Sequence, residues 1–415
     1  MGHRSYLSPD GKWVLLVEMD NGGFLPCRLV PFDGSSDGRA VGPLGGACTS
    51  AAWSPDGQWM YFASNSGGSF HIWRQRFSGG SPEQLTFGPT EEEGVTLAPD
   101  GRSFVTSVGL SQSALWVHDT NGERQITAEG YAELFGWGAQ GSHFSLDGKK
   151  LYYLVKQGSS RAFVAGEIWE VELDSGRTER FLDTVATGFD ISSDGKRMVL
   201  AADDKDGISY LWIASLTRDF APRRLPLRDV DNPLFGPDAR IYFRAKEGKV
   251  NFLYRVKEDG TERQKVISDP ILGFFSISPD GEFVLVVGAF VAAQNASEDD
   301  WVGLVAYPTK GGTPVRICSP PCSARWTNDG KFFDIVLRLR TMGAAEEWKT
   351  YTIVLKPGQV LPAFPSFGVE SESDLRALPV VQKTATRGRA PSPRPYVYAF
   401  IQKSTHRNLY RIPLP

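Results

Sequence analysis

The chain has 415 residues, 41% of them hydrophobic, with 44 glycines, 27 prolines and a formal net charge of −3. So small a net charge argues against bulk binding of nucleic acid, which needs clustered positive charge to displace counterions from phosphate. The longest apolar run, residues 283–293, is too short to cross a bilayer. Helical periodicity is confined to residues 371–378, so the composition reads as a turn-rich all-β chain.

The opening MGHRSYLSPDG has no apolar signal core and enters a strand almost at once. Two expectations follow: a cytoplasmic chain, or a fragment whose targeting element lies upstream. From there one pattern recurs. Ser-Pro-Asp-Gly or a near variant places its Asp at Asp10, Asp56, Asp100, Asp147, Asp194, Asp238, Asp280 and Asp329, at intervals of 42 to 49 residues. Leu146, Ser193 and Asn328 stand in the Pro position, and Ala239 replaces the Gly. Each quartet suits a type I turn. A strand follows it (WVLLVEM, WMYFAS, SFVTSV, LYYLV, RMVLAA, IYFRA, FVLVVG, FFDIVL), then a polar or Gly-rich break. The next strand carries an apolar pair: Ile72-Trp73, Leu115-Trp116, Ile168-Trp169, Leu211-Trp212, Leu253-Tyr254 and Leu409-Tyr410. A short third strand and the residues leading into the next turn complete the unit. In this reading Trp73 packs between units, and the eight motif aspartates are structural acceptors of backbone N–H groups.

Repeats of about 40 to 45 residues with four strands each predict a β-propeller. The expected fold is one all-β ring over residues 1–415 with about eight four-stranded blades; seven blades plus leftover strands is the alternative. Residues 358–395, rich in Pro, Ser and Arg, read as an irregular surface excursion, and 396–414 as two closing strands.

Chemical motifs are few. GWGAQG at 136–141 matches a dinucleotide fingerprint but precedes a strand instead of a helix. ADDKDG at 202–207 resembles a calcium loop but has Ala202 at the first ligand position and Ile213 at the twelfth. Asn295-Ala296-Ser297 fits a glycosylation sequon. No Gly-x-Ser-x-Gly string stands at a strand-to-helix elbow (GSSDG at 34–38 lies in a turn between strands), and His3, His71, His118, His143 and His406 fall at different points of different repeats. Cys27, Cys48, Cys318 and Cys322 read as free thiols; pairing of Cys318 with Cys322, or a metal held by them, is the other reading. No cofactor, metal or catalytic residue is expected.

Charge supplies the candidate binding face. The motif turns are followed by Lys12, Arg102, Lys149, Lys196, Arg240 and Lys331, whereas the opposite blade ends gather acids. Glu91, Glu92, Glu93, Tyr131, Glu133, Asp231 and Asp269 are expected to form an acidic rim for a cationic group or peptide.

SPDGQWMYF, HIWRQRF, GGSPEQLT and APDGRSFVTS resemble the TolB-like and WD-like Pro-Asp-Gly propeller repeats. HRSYLSPDGKWVLLVEMD, LPCRLVPFDGSS, GPTEEEG and RNLYRIPLP, taken in order, resemble the C-terminal propeller of bacterial, especially acidobacterial, serine/threonine protein kinases. The resemblance covers nearly the whole chain. It implies a cytoplasmic kinase domain and a membrane span upstream, with the propeller as an extracytoplasmic sensor or interaction region, and hence a truncated or stand-alone relative. The expected function is therefore non-enzymatic binding of a protein, peptide or small ligand by a monomer without a membrane span. The alternatives are the gating propeller of a prolyl-oligopeptidase-like hydrolase and a structural scaffold.

Overall fold

The computed structural model describes residues 2–20, 23–127, 141–156, 165–205, 207–289, 302–319, 322–327, 329–339, 347–384, 389–394 and 396–414. They fold as antiparallel strands with one short 3-10 helix, Glu372–Leu375. The chain divides into two compact units, Met1–Gln112 with Gln157–Phe163 and Lys403–Pro415, and Ser113–Lys156 with Val164–Gln402.

The first unit holds two complete propeller-type blades, each built on a four-stranded meander, the first with Gly23–Phe24 as a short extra strand. One runs through Gly2–Leu7, Trp13–Asp20, Arg28–Pro31 and Arg39–Ala40, the other through Cys48–Trp53, Trp59–Ser64, His71–Arg76 and Glu83–Gln84. Leu15 and Leu29 of one meet Met60 and Phe62 of the other, with Trp73 packed against the same cluster, as expected for a residue between blades. Fully burying Phe62 contributes about 2–3 kcal/mol.

The third repeat departs from expectation. Ser103–Asp119 is a single 17-residue strand, so the predicted break at GLSQS is absent. Gly109 does not adopt a positive φ; a Cβ there would lie 2.2 Å from the carbonyl oxygen of His406. The glycine thus marks a close backbone approach rather than a turn. Within the first unit, Glu91–Leu97 pairs with the first half of this strand, and the C-terminal residues lie along it, with the Leu414 N–H donating to the Arg102 carbonyl at 2.9 Å. The closing segment is likewise one strand, Tyr398–Pro413, instead of two. Leu409 and Tyr410 are 76% and 50% exposed, whereas Ile72 and Leu115 are fully buried. The terminal pair therefore does not repeat the packing of the others.

In the second unit, Thr178–Ile191 is long enough to close one blade and open the next. Its first half pairs with Gly166–Glu172 and its second half with Arg197–Asp203, fusing two blades into a seven-stranded sheet. Three four-stranded blades follow, beginning at Val230–Phe235, Gly273–Ile277 and Cys322–Trp326. Successive sheets stack face to face: Val199 and Leu211 on Ile241 and Phe243, Leu253 on Phe274 and Val284, Leu304 on Ile335.

Residues 358–395 are less loose than the Pro-rich composition implies. They include the strand Val380–Thr384, which pairs with Glu347–Val354 as the outer strand of its blade, and they bury Val369, Leu375 and Leu378 in the core. The cysteines also correct the free-thiol reading. Cys27 is joined to Cys48 and Cys318 to Cys322, with Cα–Cα distances of 5.3 and 6.4 Å. The first pair links segments of adjacent blades, a proximity that spacing along the chain does not reveal.

The motif turns share one hydrogen-bond circuit. Ser54 Oγ donates to Asp56 Oδ1 at 2.5 Å and accepts the Trp59 N–H at 2.9 Å, while the Gln58 N–H donates to Asp56 Oδ1 at 3.0 Å. Ser8/Asp10, Ser145/Asp147, Ser192/Asp194, Ser278/Asp280 and Thr327/Asp329 repeat it. Ala98 and Gly236 have no hydroxyl, so Asp100 and Asp238 keep the backbone bond without the side-chain bond from that position. Each motif Gly has positive φ, and Ala239 adopts the same left-handed conformation at φ 56°.

Candidate functional site

The predicted rim residues are mostly engaged in local pairing. Glu92 lies on the innermost strand of the third repeat but is only 3% exposed. One carboxylate oxygen meets His71 Nδ1 at 2.8 Å and accepts the Thr86 hydroxyl at 2.7 Å; the other accepts the Thr90 hydroxyl at 3.1 Å. A buried carboxylate needs such partners, so Glu92 clasps two blades and does not face solvent. Its neighbours alternate outward as a strand requires, and Glu91 and Glu93 share Arg407 at 3.3 and 3.4 Å.

Asp231 is held by Arg244 in a bidentate pair at 2.7 and 2.6 Å. Asp269 is exposed beside the Ser268 hydroxyl. Glu91 to Glu93 belong to the first unit and Asp231 and Asp269 to the second. Tyr131 and Glu133 lie outside the described residues, as do the 136–140 part of the fingerprint-like motif and the Asn295 sequon.

Two polar clusters that sequence reading did not single out occur in the second unit. On the inner strands, His143 Nδ1 lies 3.3 Å from Asp190 Oδ1, and Asp190 also accepts the N–H groups of Phe235 and Ile191 at 2.8 Å each. Loss of water around Asp190 pushes its carboxyl up to about 7, against the pull of those two N–H groups. In the last blade, Arg389 reaches Asp334 through Nε at 3.1 Å and Nη2 at 2.8 Å, and also bonds Thr352 and Gln382. Arg325 lies opposite Asp334 in the strand register. Burial lowers the Arg325 guanidinium to about 10, with Asp334 opposing that shift and Arg389 adding to it. Both clusters tie together strands of different sheet positions. Their local signal was weak, because each joins residues more than 40 apart along the chain.

The freely exposed apolar groups of the first unit sit elsewhere. Leu44, in the connection between the first two blades, is 92% exposed, and Phe87, in the next connection, is 71% exposed. The intervening hairpin 65–70 is tied to both connections: the Ser66 hydroxyl donates to the Leu44 carbonyl at 2.9 Å, and the Glu92 N–H donates to the Phe70 carbonyl at 2.8 Å. Glu91 and Glu93 follow directly after Phe87 along the same connection and strand. The arrangement places apolar and acidic groups at the same end of the blades. Among the described residues, no three His, Cys, Asp or Glu side chains are grouped to hold a metal, and no helix is long and apolar enough to cross a membrane.

No family model and no curated protein matches the chain. Among solved structures, it is similar to TolB from Acinetobacter baumannii at 14% identity, covering 69% of this chain and 74% of that one, with a TM-score of 0.40. An oligogalacturonate lyase from Vibrio parahaemolyticus is 12% identical over 86% of this chain and 97% of that one, at a TM-score of 0.37. Dipeptidyl peptidase 4 from Porphyromonas gingivalis is 11% identical over 86% of this chain and 58% of that one, at 0.35. At such scores the fold assignment rests on the blade-by-blade sheet order of this chain.

Proposed function

We propose that the chain is a non-enzymatic binding module, the sensor or interaction region of a kinase-linked signalling protein. Its partner docks on the blade-connecting loops of the first unit. The observation that carries this reading is the pairing of Leu44 and Phe87, 92% and 71% exposed, with Glu91 and Glu93 on the same end of the blades. Large exposed apolar side chains beside Glu91 and Glu93, two carboxylates against the one guanidinium of Arg407, suit a peptide or protein segment that is both apolar and basic. The two disulfides support an extracytoplasmic setting, because such bonds persist in oxidising compartments.

Selection of displayed peptides on the immobilised chain supplies a probe whose affinity is then measured on variants. Leu44→Ser with Phe87→Ser, and separately Glu91→Gln with Glu93→Gln, are expected to weaken the selected peptide, the second pair less so at high salt. A peptide indifferent to both pairs, or peptidase or kinase turnover by this chain, overturns the reading. Glu92 and Asp231 are poor targets for such a test, since His71 and Arg244 depend on them.

A further inference from the structure

The turn end of the first two blades carries a cleft of a different kind, independent of the loop end at the other extremity of the strand Trp59–Ser64. It encloses about 380 Å³ between the Ser8–Gly11 and Ser54–Gly57 turns and is lined by Asp10, Trp13, Trp53, Asp56 and Phe77. Trp13 and Trp53 both pack on Phe77, with ring centroids 5.6 and 5.5 Å apart and planes inclined at 65° and 62°. The wall is fixed before any ligand arrives. The Trp53 indole N–H donates to the Tyr6 carbonyl at 3.0 Å, and the residue is only 9% exposed.

Both carboxylates at the rim are held as anions. Oδ1 of Asp10 accepts the Ser8 hydroxyl and the Lys12 N–H, and Oδ1 of Asp56 accepts the Ser54 hydroxyl and the Gln58 N–H. Those bonds, the hydroxyl's first, hold each group below the usual carboxylate range. Among the described residues all of these bonds go to Oδ1, which leaves Oδ2 of each for a ligand. Lys12, exposed, is the base nearest Asp10 and does not line the cleft.

The same chain contains a comparison. A second cleft, of about 610 Å³, lies between the Ser145–Gly148 turn and Gly195. There Lys150 stands at the position of Trp13, paired with Glu170 at 3.0 Å, and no aromatic ring lines the space. The second cleft thus supplies its own cation, and the first supplies rings and two anions without one in its lining.

We propose that the cleft between the first two turns binds an organic cation, a substituted ammonium group whose carbon atoms pack on Trp13, Trp53 and Phe77 while Asp10 and Asp56 balance its charge. Ring faces attract a cation through their quadrupole, and an alkylated ammonium gives up its water more readily than a bare ion. A metal ion would demand oxygen ligands in number that three aromatic walls do not offer.

Choline is the probe, and 3,3-dimethyl-1-butanol, its neutral carbon isostere, is the control. Titration is followed by calorimetry and by the indole N–H resonances of Trp13 and Trp53. Choline is expected to saturate and shift both resonances, and the isostere to bind about tenfold more weakly or worse. Phe77→Leu should weaken choline about fivefold or more. Absence of saturable binding, equal binding of the isostere, or a folded Phe77→Leu chain that binds choline normally overturns the proposal. If Phe77→Leu does not fold, the choline-to-isostere comparison on the unaltered chain decides it alone.

Discussion

The Ser54 hydroxyl offers a sharp test of how the blades are held. Replacing Ser54 by Ala removes two bonds at once: the donation to Asp56 at 2.5 Å and the acceptance of the Trp59 N–H at 2.9 Å. Ser54 is only 6% exposed, so water does not readily take over either role. A neutral bond contributes about 1 kcal/mol net and one to a charged acceptor about 1.5–3 kcal/mol. Water competes for the exposed Asp56 carboxylate and holds that bond to the low end of its range, so Ser54→Ala is expected to cost about 2.5 kcal/mol. Blade arrays need not unfold in one step, so the loss is best read locally, as faster hydrogen exchange of the Trp59 amide, alongside the urea midpoint. The cost should also depend on pH. The Ser54 bond holds the Asp56 carboxyl below its ordinary value, so its contribution is present above about pH 4 and fades as pH falls through the folded-state value. In acid the difference between the two chains should narrow to the part that the Trp59 bond contributes. Ala98→Ser is the mirror experiment, adding the hydroxyl that the third repeat lacks, and should gain about 1 kcal/mol. A Ser54→Ala chain whose Trp59 amide and urea midpoint match the original would refute the circuit as a source of stability.

Ala239→Gly should stabilise the chain by about 0.5–1 kcal/mol, because Ala239 holds a left-handed φ of 56° that glycine adopts without a Cβ clash; an unchanged or lower melting temperature counts against this. Asp190 should titrate near neutrality in the folded chain, read from its side-chain carboxyl carbon resonance. Its folded value lies above the unfolded one of about 4, so stability falls as pH rises from about 4 to about 7. Asp190→Asn should flatten that slope, and a carboxyl midpoint below 4 would show that the two N–H donors outweigh the lost water.

The local devices of this protein were legible in its residues. A turn needs only four neighbouring side chains, and a strand only alternation, so the motif turns, most strands, the all-β class and the inward Trp73 follow from short stretches of chain. The Ser in the first motif position was also visible, though its part in the circuit emerges only when Oγ is seen between Asp56 and the Trp59 N–H. Tertiary structure decided what depends on distant partners. Gly109 became part of a continuous strand because residues near His406 lie against it, and Leu409-Tyr410 stayed exposed because an apolar pair is buried only where a neighbouring sheet covers it. Cys27 met Cys48 because their blades are adjacent. Glu92, read as one of three equivalent acids, turned inward because strand pleating sends alternate side chains to opposite faces and His71 was waiting on the inner one. Charge along the chain gives the number of carboxylates at a blade end, and only packing determines which of them reach water.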